Sequence, residues 1–149
     1  TPAIANSICF SPDGWRMYYA DSSTRAIHCC DYEPGGRLGP SRVFVGADAA
    51  PGEPDGSCID ADGYLWSTRW GAGQIMRFAP DGRLERALAL DAPQPSCPTF
   101  GGAGLSTLYA TSASLGMSTS ARAGAPLSGA MFHLALDVRG LPESRFLLP

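Results

Sequence analysis

The sequence predicts an all-β domain built from repeated, blade-like sheets, and three observations support this prediction. Short runs of β-forming residues recur, Gly-centred turns separate them, and segments with the helical period are hard to find. The runs cover residues 17–20, 64–66, 74–78, 108–111 and 130–134. A chain of many short strands with such turns is typical of all-β folds.

The strands repeat along the chain. Each unit starts with a cysteine that precedes a glycine by five positions: Cys9, Cys58 and Cys97. An apolar-aromatic pair, a third strand and a weak fourth strand follow. A four-stranded unit of about 40 to 50 residues indicates a propeller blade, because a single sheet cannot cover both of its faces and must stack on its neighbours. The strand that follows each cysteine is predicted to line the central channel. A β-sandwich is the alternative, but it would not need three matching units.

We assign blade-like repeats to about residues 6–50, 55–92 and 94–149, within a single domain that spans residues 1–149. Three blades do not close a ring, and open ends would expose sheet faces and edges. Either the chain is part of a larger protein, or two copies join to close a six-bladed ring. The start at Thr1, close to the first inner strand, favours truncation in the middle of a protein.

Composition excludes several classes of partner. The 149 residues are 44% hydrophobic, which indicates a globular domain with a core. A net charge of −3 gives no electrostatic footprint for nucleic acid, and no apolar run approaches the length of a membrane span. The five cysteines form no C-x-x-C pair and no signal peptide is visible, so we expect free thiols and a cytoplasmic location.

Side chains with oxygen donors lie three residues before each repeat cysteine, at Asn6, Asp55 and Gln94. Equivalent positions in successive blades are related by rotation about the propeller axis, so these side chains should converge at one mouth of the channel. Amide and carboxylate oxygens are hard ligands. They favour Ca²⁺, with Mg²⁺ and Mn²⁺ also suitable and Zn²⁺ less favoured without His or Cys.

Asp55 also fits a purely structural role, since Asn and Asp are common turn formers. It lies in the segment 53–56 (EPDG), which the sequence predicts to be a tight turn. The other three Asp-Gly pairs fall in hairpin turns, and Asp55 alone occupies the pre-strand position. Spacing alone leaves the turn role and the ligand role open.

Five collinear segments resemble the SMP-30/gluconolactonase/regucalcin family. Residues 6–22, with NSICFSPDG followed by MYYADS, resemble its NGLxFSPDGxxLYVADS segment, and residues 54–66 resemble PDGxxVDxxGxLWVA. Residues 73–82, 100–113 and 126–132 are similar to its GxVxRxxPDG, FGGxxLxxLYVTSA and PLAGGLF segments. The matches follow the same order and cover nearly the whole chain.

The resemblance implies a six-bladed β-propeller of the SMP-30/gluconolactonase type, with this chain as the C-terminal half of about three blades. It also implies a divalent cation at the channel mouth, held by a Glu, an Asn and an Asp. The Asn falls on Asn6 and the Asp on Asp55. The Glu, and the residues that hold substrate hydroxyls, belong to the missing N-terminal half. Ser7 stands where the family usually has Gly.

The activity implied by the resemblance is metal-dependent hydrolysis of sugar lactones, with Asp55 as a candidate general base. The chain alone holds at most two of the three ligands, so we expect it to be inactive by itself. Fold does not fix function, and a non-catalytic propeller that binds calcium or a protein partner is the alternative. A related propeller esterase acting on other lactones or organophosphates is a third hypothesis.

Three further side chains and one loop are weaker candidates. Trp70 either stacks on a sugar ring near the mouth or, as we expect, packs between blades. His28 and His133 fall on third strands, where structural or exposed roles are expected. The Ser/Ala/Gly-rich connection 112–128 is long enough to border a binding site.

Overall fold

The computed structural model describes residues 3–33 and 35–143. Residues 144–149, which end the third repeat and the predicted domain, lie outside the described residues, as do Thr1, Pro2 and Pro34. The described chain forms three antiparallel sheets. The strands of the first are β1 (Ala5–Phe10), β2 (Arg16–Asp21), β3 (Ala26–Glu33), β4 (Arg37–Leu38) and β5 (Arg42–Val45).

The second and third sheets repeat this antiparallel pattern. The second contains β6 (Glu53–Ile59), β7 (Leu65–Trp70), β8 (Gln74–Phe78) and β9 (Leu84–Ala89). The third contains β10 (Pro95–Gly101), β11 (Thr107–Ser112) and β12 (Met131–Ala135). In each sheet the strands are paired in chain order, except that β5 pairs with β3 beside the short β3–β4 hairpin.

The first strands of the three sheets are neighbours. Strand β1 packs on β6, and β6 packs on β10. Sheets stacked through their first strands have the arrangement of successive propeller blades. The prediction of an all-β, propeller-type fold is therefore confirmed, whereas the total of six blades stays a prediction.

Two details of the predicted strands are wrong. Each first strand begins before its cysteine, not after it, and residues 53–56 belong to strand β6 and do not form a tight turn. Pairing with β7 starts at Glu53 and Pro54 and then shifts register before Ser57. The physical reason is a β-bulge: Pro54 has no N–H for the ladder, so the strand continues through an irregularity. Similar shifts interrupt β1 and β10 near their starts.

Two hydrophobic cores lie on the two sides of the second sheet. The core toward the first sheet contains Tyr18, Ile27, Val45, Leu65 and Phe78. The core toward the third sheet contains Trp66, Ile75, Phe100, Leu108 and Ala110. Strand β7 consequently has both faces buried, with Leu65 in the first core and Trp66 in the second. Burial of both faces is what makes the second sheet the centre of the described structure.

Most of the remaining chain is turn and loop. The connection from β11 to β12 contains a short helix, α1 (Thr119–Gly124), which the sequence did not predict. Ser118 caps its N-terminus by accepting a hydrogen bond from Ala121 N–H. In the described ranges, every helix is too short or too polar to cross a bilayer.

A buried ion pair fixes the end of the second sheet that follows β6. The Asp60 side chain is fully buried and accepts hydrogen bonds from the N–H groups of Asp62 and Tyr64. It also accepts from Trp66 Nε1 at 2.9 Å and from Arg77 Nε at 2.8 Å. The Arg77 guanidinium lies 3.8 Å from the centre of the Tyr64 ring. Because the carboxylate is fully paired, its burial is compatible with a stable fold.

The contact between β6 and β10 depends on the absence of a side chain at Gly56. A Cβ at this position would lie 2.7 Å from both Cys97 Cα and Ser96 O. Thr68 Oγ1 bridges the same two strands by sharing its single proton between Gly56 O at 3.1 Å and Ser96 O at 2.9 Å. A third contact of the added Cβ would be with Cys97 Sγ at 2.8 Å, but the first two are with backbone atoms, which cannot rotate away.

We expect Gly56→Ala to lower the free energy of unfolding by about 1–3 kcal/mol, the usual range for overpacking. Gly46→Ala is the matched control, because a Cβ there meets no atom within 4 Å and the backbone is not left-handed. The control should change stability by no more than about 0.5 kcal/mol. Denaturant unfolding of both variants measures the difference, and equal losses would contradict the close approach of β6 and β10.

Candidate functional site

Asn6 and Asp55 lie at the same end of two neighbouring first strands. Asn6 is in β1 and Asp55 in β6, each at the bulge near the start of its strand. The hydroxyl of Ser7 donates a hydrogen bond of 2.6 Å to the carbonyl oxygen of Asp55. The backbone segments that carry the two predicted ligands are therefore in direct contact, although they are 49 residues apart in the sequence.

The Asn6 side chain is held by one end. Its Nδ2 donates to Ser22 Oγ at 2.9 Å, and Ser22 opens a 3-10 turn, Ser22–Thr24, that follows β2. Asn6 is only partly buried, and Oδ1 receives no hydrogen bond from any residue that the structure describes. The amide oxygen is thus free for a ligand that comes from outside these residues.

The Asp55 carboxylate is partly buried, and among the described residues no hydrogen-bond donor or cationic group offsets the cost of burying its charge. It accepts no hydrogen bond and forms no ion pair with the described part of the chain. Burial raises the pKa of the Asp55 carboxyl above its ordinary value, and the nearby Glu53 carboxylate raises it further. A cation bound beside Asp55 would neutralise this charge, so the carboxylate fits a metal ligand.

Among the described residues, Asn6 and Asp55 are the candidate metal ligands. In residues 3–33 and 35–143, no three His, Cys, Asp or Glu side chains are grouped as metal ligands. The amide oxygen of Asn6 and the carboxylate of Asp55 form a hard pair of donors that suits Ca²⁺. Gln94 has an enclosed Oε1 with no donor among the described residues. The site as we assign it consists of Asn6 and Asp55.

Two arginines hold the loop that leads into Asp55. The side chain of Arg69 is fully buried and donates to Pro51 O at 2.9 Å and Gly52 O at 3.2 Å. Arg25 Nε donates to the same Gly52 carbonyl at 3.3 Å. Burial lowers the pKa of Arg69 to about 10, and the charge of Arg25 contributes. The start of β6 is therefore anchored from two sheets.

The other sequence candidates occupy different surroundings. Trp70 ends β7 and pairs with Glu53, and it is partly buried. His28 in β3 stacks on Tyr19 with ring centres 5.7 Å apart. His133 in β12 lies beside the Tyr109 ring at 6.4 Å. Both histidines lie on third strands and contact tyrosines of the adjacent second strands. Neither is hydrogen-bonded to Asn6 or Asp55.

Sequence reasoning missed the serines behind the site. Ser7, Ser22 and Ser57 form hydrogen bonds with Asn6, with the backbone of β6 or with each other. In the sequence, Ser7 stands out only as a departure from the family's Gly. Ser22 was visible as the last residue of the MYYADS segment, but its bond to a residue 16 positions earlier required the fold.

The fold and the site together define a class of protein: a propeller-type β domain with a pair of hard oxygen donors at the end of its inner strands. A family model described as the SMP-30/gluconolactonase/LRE-like region matches residues 2–114. The chain therefore belongs to this family, as the sequence segments predicted.

Individual relatives agree with this membership. The chain is 44% identical over 144 residues to the L-arabinolactonase of Azospirillum brasilense, covering 97% of this chain and 47% of that protein. It is 31% identical to the 6-deoxy-6-sulfogluconolactonase of Pseudomonas putida, covering 96% and 50%. The crystal structure of a calcium-binding regucalcin from Agrobacterium tumefaciens superimposes with a TM-score of 0.92 at 34% identity, covering 97% and 50%. The chain thus spans about half the length of these relatives.

The raised pKa of Asp55 predicts that its charge destabilises the metal-free protein. The folded pKa lies above the ordinary value of 3.8, so the folded state binds more protons in that window and stability falls as pH rises through it. In EDTA at pH 7, Asp55→Asn should therefore show a slightly higher melting temperature than the wild type.

The gain from Asp55→Asn should shrink as the pH falls through the raised folded pKa and disappear below 3.8, where the unfolded chain is protonated as well. Asp48→Asn, at an exposed position in the loop before β6, is the matched control and should leave the melting temperature at pH 7 unchanged. Thermal unfolding followed by circular dichroism measures both. A variant that is less stable than the wild type at pH 7 would contradict an uncompensated charge.

Proposed function

We propose that the complete protein containing this chain hydrolyses sugar lactones with the help of a divalent cation, and that Asn6 and Asp55 are two of the ligands. The observation that carries the proposal is the uncompensated, partly buried carboxylate of Asp55, next to an Asn6 amide whose nitrogen is already occupied. The names of the lactonase relatives support the reaction class, and the calcium-binding relative supports Ca²⁺.

The donor set suits this role chemically. When bound, the cation would act as a Lewis acid toward the lactone carbonyl and acidify water. Asn6 is neutral, so it contributes an oxygen without reducing the positive charge at the site. Asp55 contributes the negative charge that gives affinity for a divalent ion. The missing third donor would come from the part of the protein that precedes this chain.

Asp55 has a second role in the proposed reaction as the general base. A water molecule adds its oxygen to the lactone carbonyl carbon and gives a proton to an Asp55 carboxylate oxygen. The ring C–O bond then breaks, and the proton passes to the departing ring oxygen, which becomes a hydroxyl group. The product is the open-chain hydroxy acid, and Asp55 is ionised again.

We also propose that the open faces of the first and third sheets are covered by the remaining blades of the same protein. On the first sheet, Val43 is 61% exposed and lies on the face opposite Ile27 and the core. On the third sheet, Met131 is 67% exposed and flanks the Tyr109–His133 pair. Apolar sheet faces at both ends, on a chain of half the relatives' length, favour a partner made of further blades.

Asp55→Ala in the complete protein should reduce turnover of gluconolactone or L-arabinolactone by at least about 100-fold, the lower range for a general base. The protein is stripped with EDTA and assayed with Ca²⁺, Mn²⁺ and Zn²⁺ in turn. Asp48→Ala, at an exposed loop position, is the control and should retain wild-type activity.

Two outcomes of this assay would overturn the proposed function. Unchanged turnover in Asp55→Ala would remove Asp55 from the site. Tight Ca²⁺ binding by the wild type without hydrolysis of any lactone would favour the calcium-binding, non-catalytic alternative.

Expressed alone, the chain should be inactive and should bind the upstream half of the protein in a one-to-one complex when the two are produced together. Size-exclusion chromatography with light scattering measures this stoichiometry. Val43→Glu should weaken the complex, because it places a charge on the face to be covered, whereas Asp48→Glu should not. A species of twice 15.6 kDa formed by this chain alone would instead indicate a second copy as the partner.

A further inference from the structure

The hydroxyls of Ser7, Ser22 and Ser57 form a network of hydrogen bonds with Asn6 and with the backbone of Pro54 and Asp55. Ser22 Oγ donates to Pro54 O at 2.6 Å, and Ser7 Oγ donates to Asp55 O at 2.6 Å. Ser57 Oγ donates to Ser7 Oγ at 2.8 Å. Ser7 is 2% exposed and Ser22 is 4% exposed. The network therefore lies between β1 and β6, shielded from solvent.

The direction of the Ser22 hydrogen bonds fixes the orientation of the Asn6 amide. A hydroxyl has one proton to donate. Ser22 gives this proton to the Pro54 carbonyl, which can only accept, so Ser22 Oγ is left as an acceptor toward Asn6. The neighbouring atom of Asn6 must then be the NH₂ group. The two ends of an amide are distinguished by the hydrogen-bond network, and here the network leaves Oδ1 on the side away from Ser22.

Ser7 connects the same network to Asp55. Its backbone is left-handed, with φ of 58°, a conformation that is unfavourable for residues with a side chain. The hydroxyl donates to Asp55 O and accepts from Ser57, so two hydrogen bonds support this backbone. Two successive carbonyls of the β6 bulge, at Pro54 and Asp55, are thus tied to the segment around Asn6.

We propose that Ser22 is a positioning residue that turns the amide oxygen of Asn6 toward the cation and links it to the β6 bulge that carries Asp55. The inference rests on the proposed metal site, and it adds a residue that touches neither the cation nor the substrate. Ser22 acts by holding Nδ2, so without its hydroxyl the amide can rotate and present nitrogen to the site in place of oxygen.

The test measures Ca²⁺ affinity of the complete protein by isothermal titration calorimetry, with thermal unfolding in EDTA as a metal-free readout. Ser22→Ala should weaken Ca²⁺ binding by about 10–100-fold, the usual loss when a partner of a metal ligand is removed. Ser22→Thr keeps the hydroxyl and should retain affinity. Ser106→Ala removes a hydroxyl that donates to the backbone carbonyl of Ala103 at 3.5 Å, before β11 at the opposite end of the third sheet, and should leave Ca²⁺ affinity unchanged.

A double-variant comparison separates orientation from general stability. In an Asn6→Asp background both side-chain oxygens are equivalent, so rotation no longer replaces oxygen by nitrogen. Adding Ser22→Ala to that background should therefore cost much less affinity than it does in the wild type. Equal losses in the two backgrounds would overturn the proposal, because they would indicate a purely structural role.

A measurement on the wild type keeps the proposal falsifiable if Ser22→Ala does not fold. The Asn6 NH₂ proton that is bonded to Ser22 Oγ should exchange more slowly with solvent than its geminal partner and remain bonded when Ca²⁺ is added, as followed by NMR. Rapid exchange would overturn the proposal. The proposed metal site itself fails in a different way, namely if the wild type binds no cation or if Asn6→Ala and Asp55→Ala bind it unchanged.

Discussion

The close approach of the first strands of neighbouring sheets is the constraint on which the rest of the structure depends. Gly56 lies so near the backbone of β10 that no side chain fits, and Ser7 reaches the Asp55 carbonyl directly. Strands at this distance bring together residues that are far apart in sequence. The same approach stacks the sheets tightly enough to bury both faces of the middle one, so core and site have a common origin.

The β-bulges near the starts of the first strands set the surroundings of the candidate site residues. In a regular strand, successive side chains point alternately to the two faces of the sheet. Asp55 would then point into one of the two cores, where an ionised carboxylate would be excluded. The register shift after Pro54 breaks this alternation and leaves the carboxylate partly buried at the end of the strand. Arg69 and Arg25 hold the preceding loop, so the irregular backbone has a defined position.

The sequence predicted the repeat and the equivalent positions of Asn6 and Asp55, because both follow from periodicity. The structure brings the backbone segments at these two positions into contact. The cysteine spacing located equivalent positions in successive blades. Positions related by rotation about the propeller axis are expected to lie at the same end of neighbouring first strands. The EPDG segment was misassigned as a turn since its local composition is that of a turn, and only pairing with β7 makes it a strand. The serine network was out of reach because Ser22 and Pro54 are 32 residues apart and meet only in the folded sheet stack.

Asp55 lies near the start of β6 and Asp60 directly follows its end. The two carboxylates differ in their surroundings, and this difference distinguishes a candidate ligand from a structural residue. Asp60 is fully buried and accepts from two backbone N–H groups, an indole and a guanidinium. Asp55 receives no donor from the described residues, although burial and Glu53 raise its pKa. The same fold that supplies donors to both oxygens of the Asp60 carboxylate supplies none to Asp55 from the described residues. Leaving Asp55 uncompensated costs stability, and such local costs are concentrated where a ligand is bound.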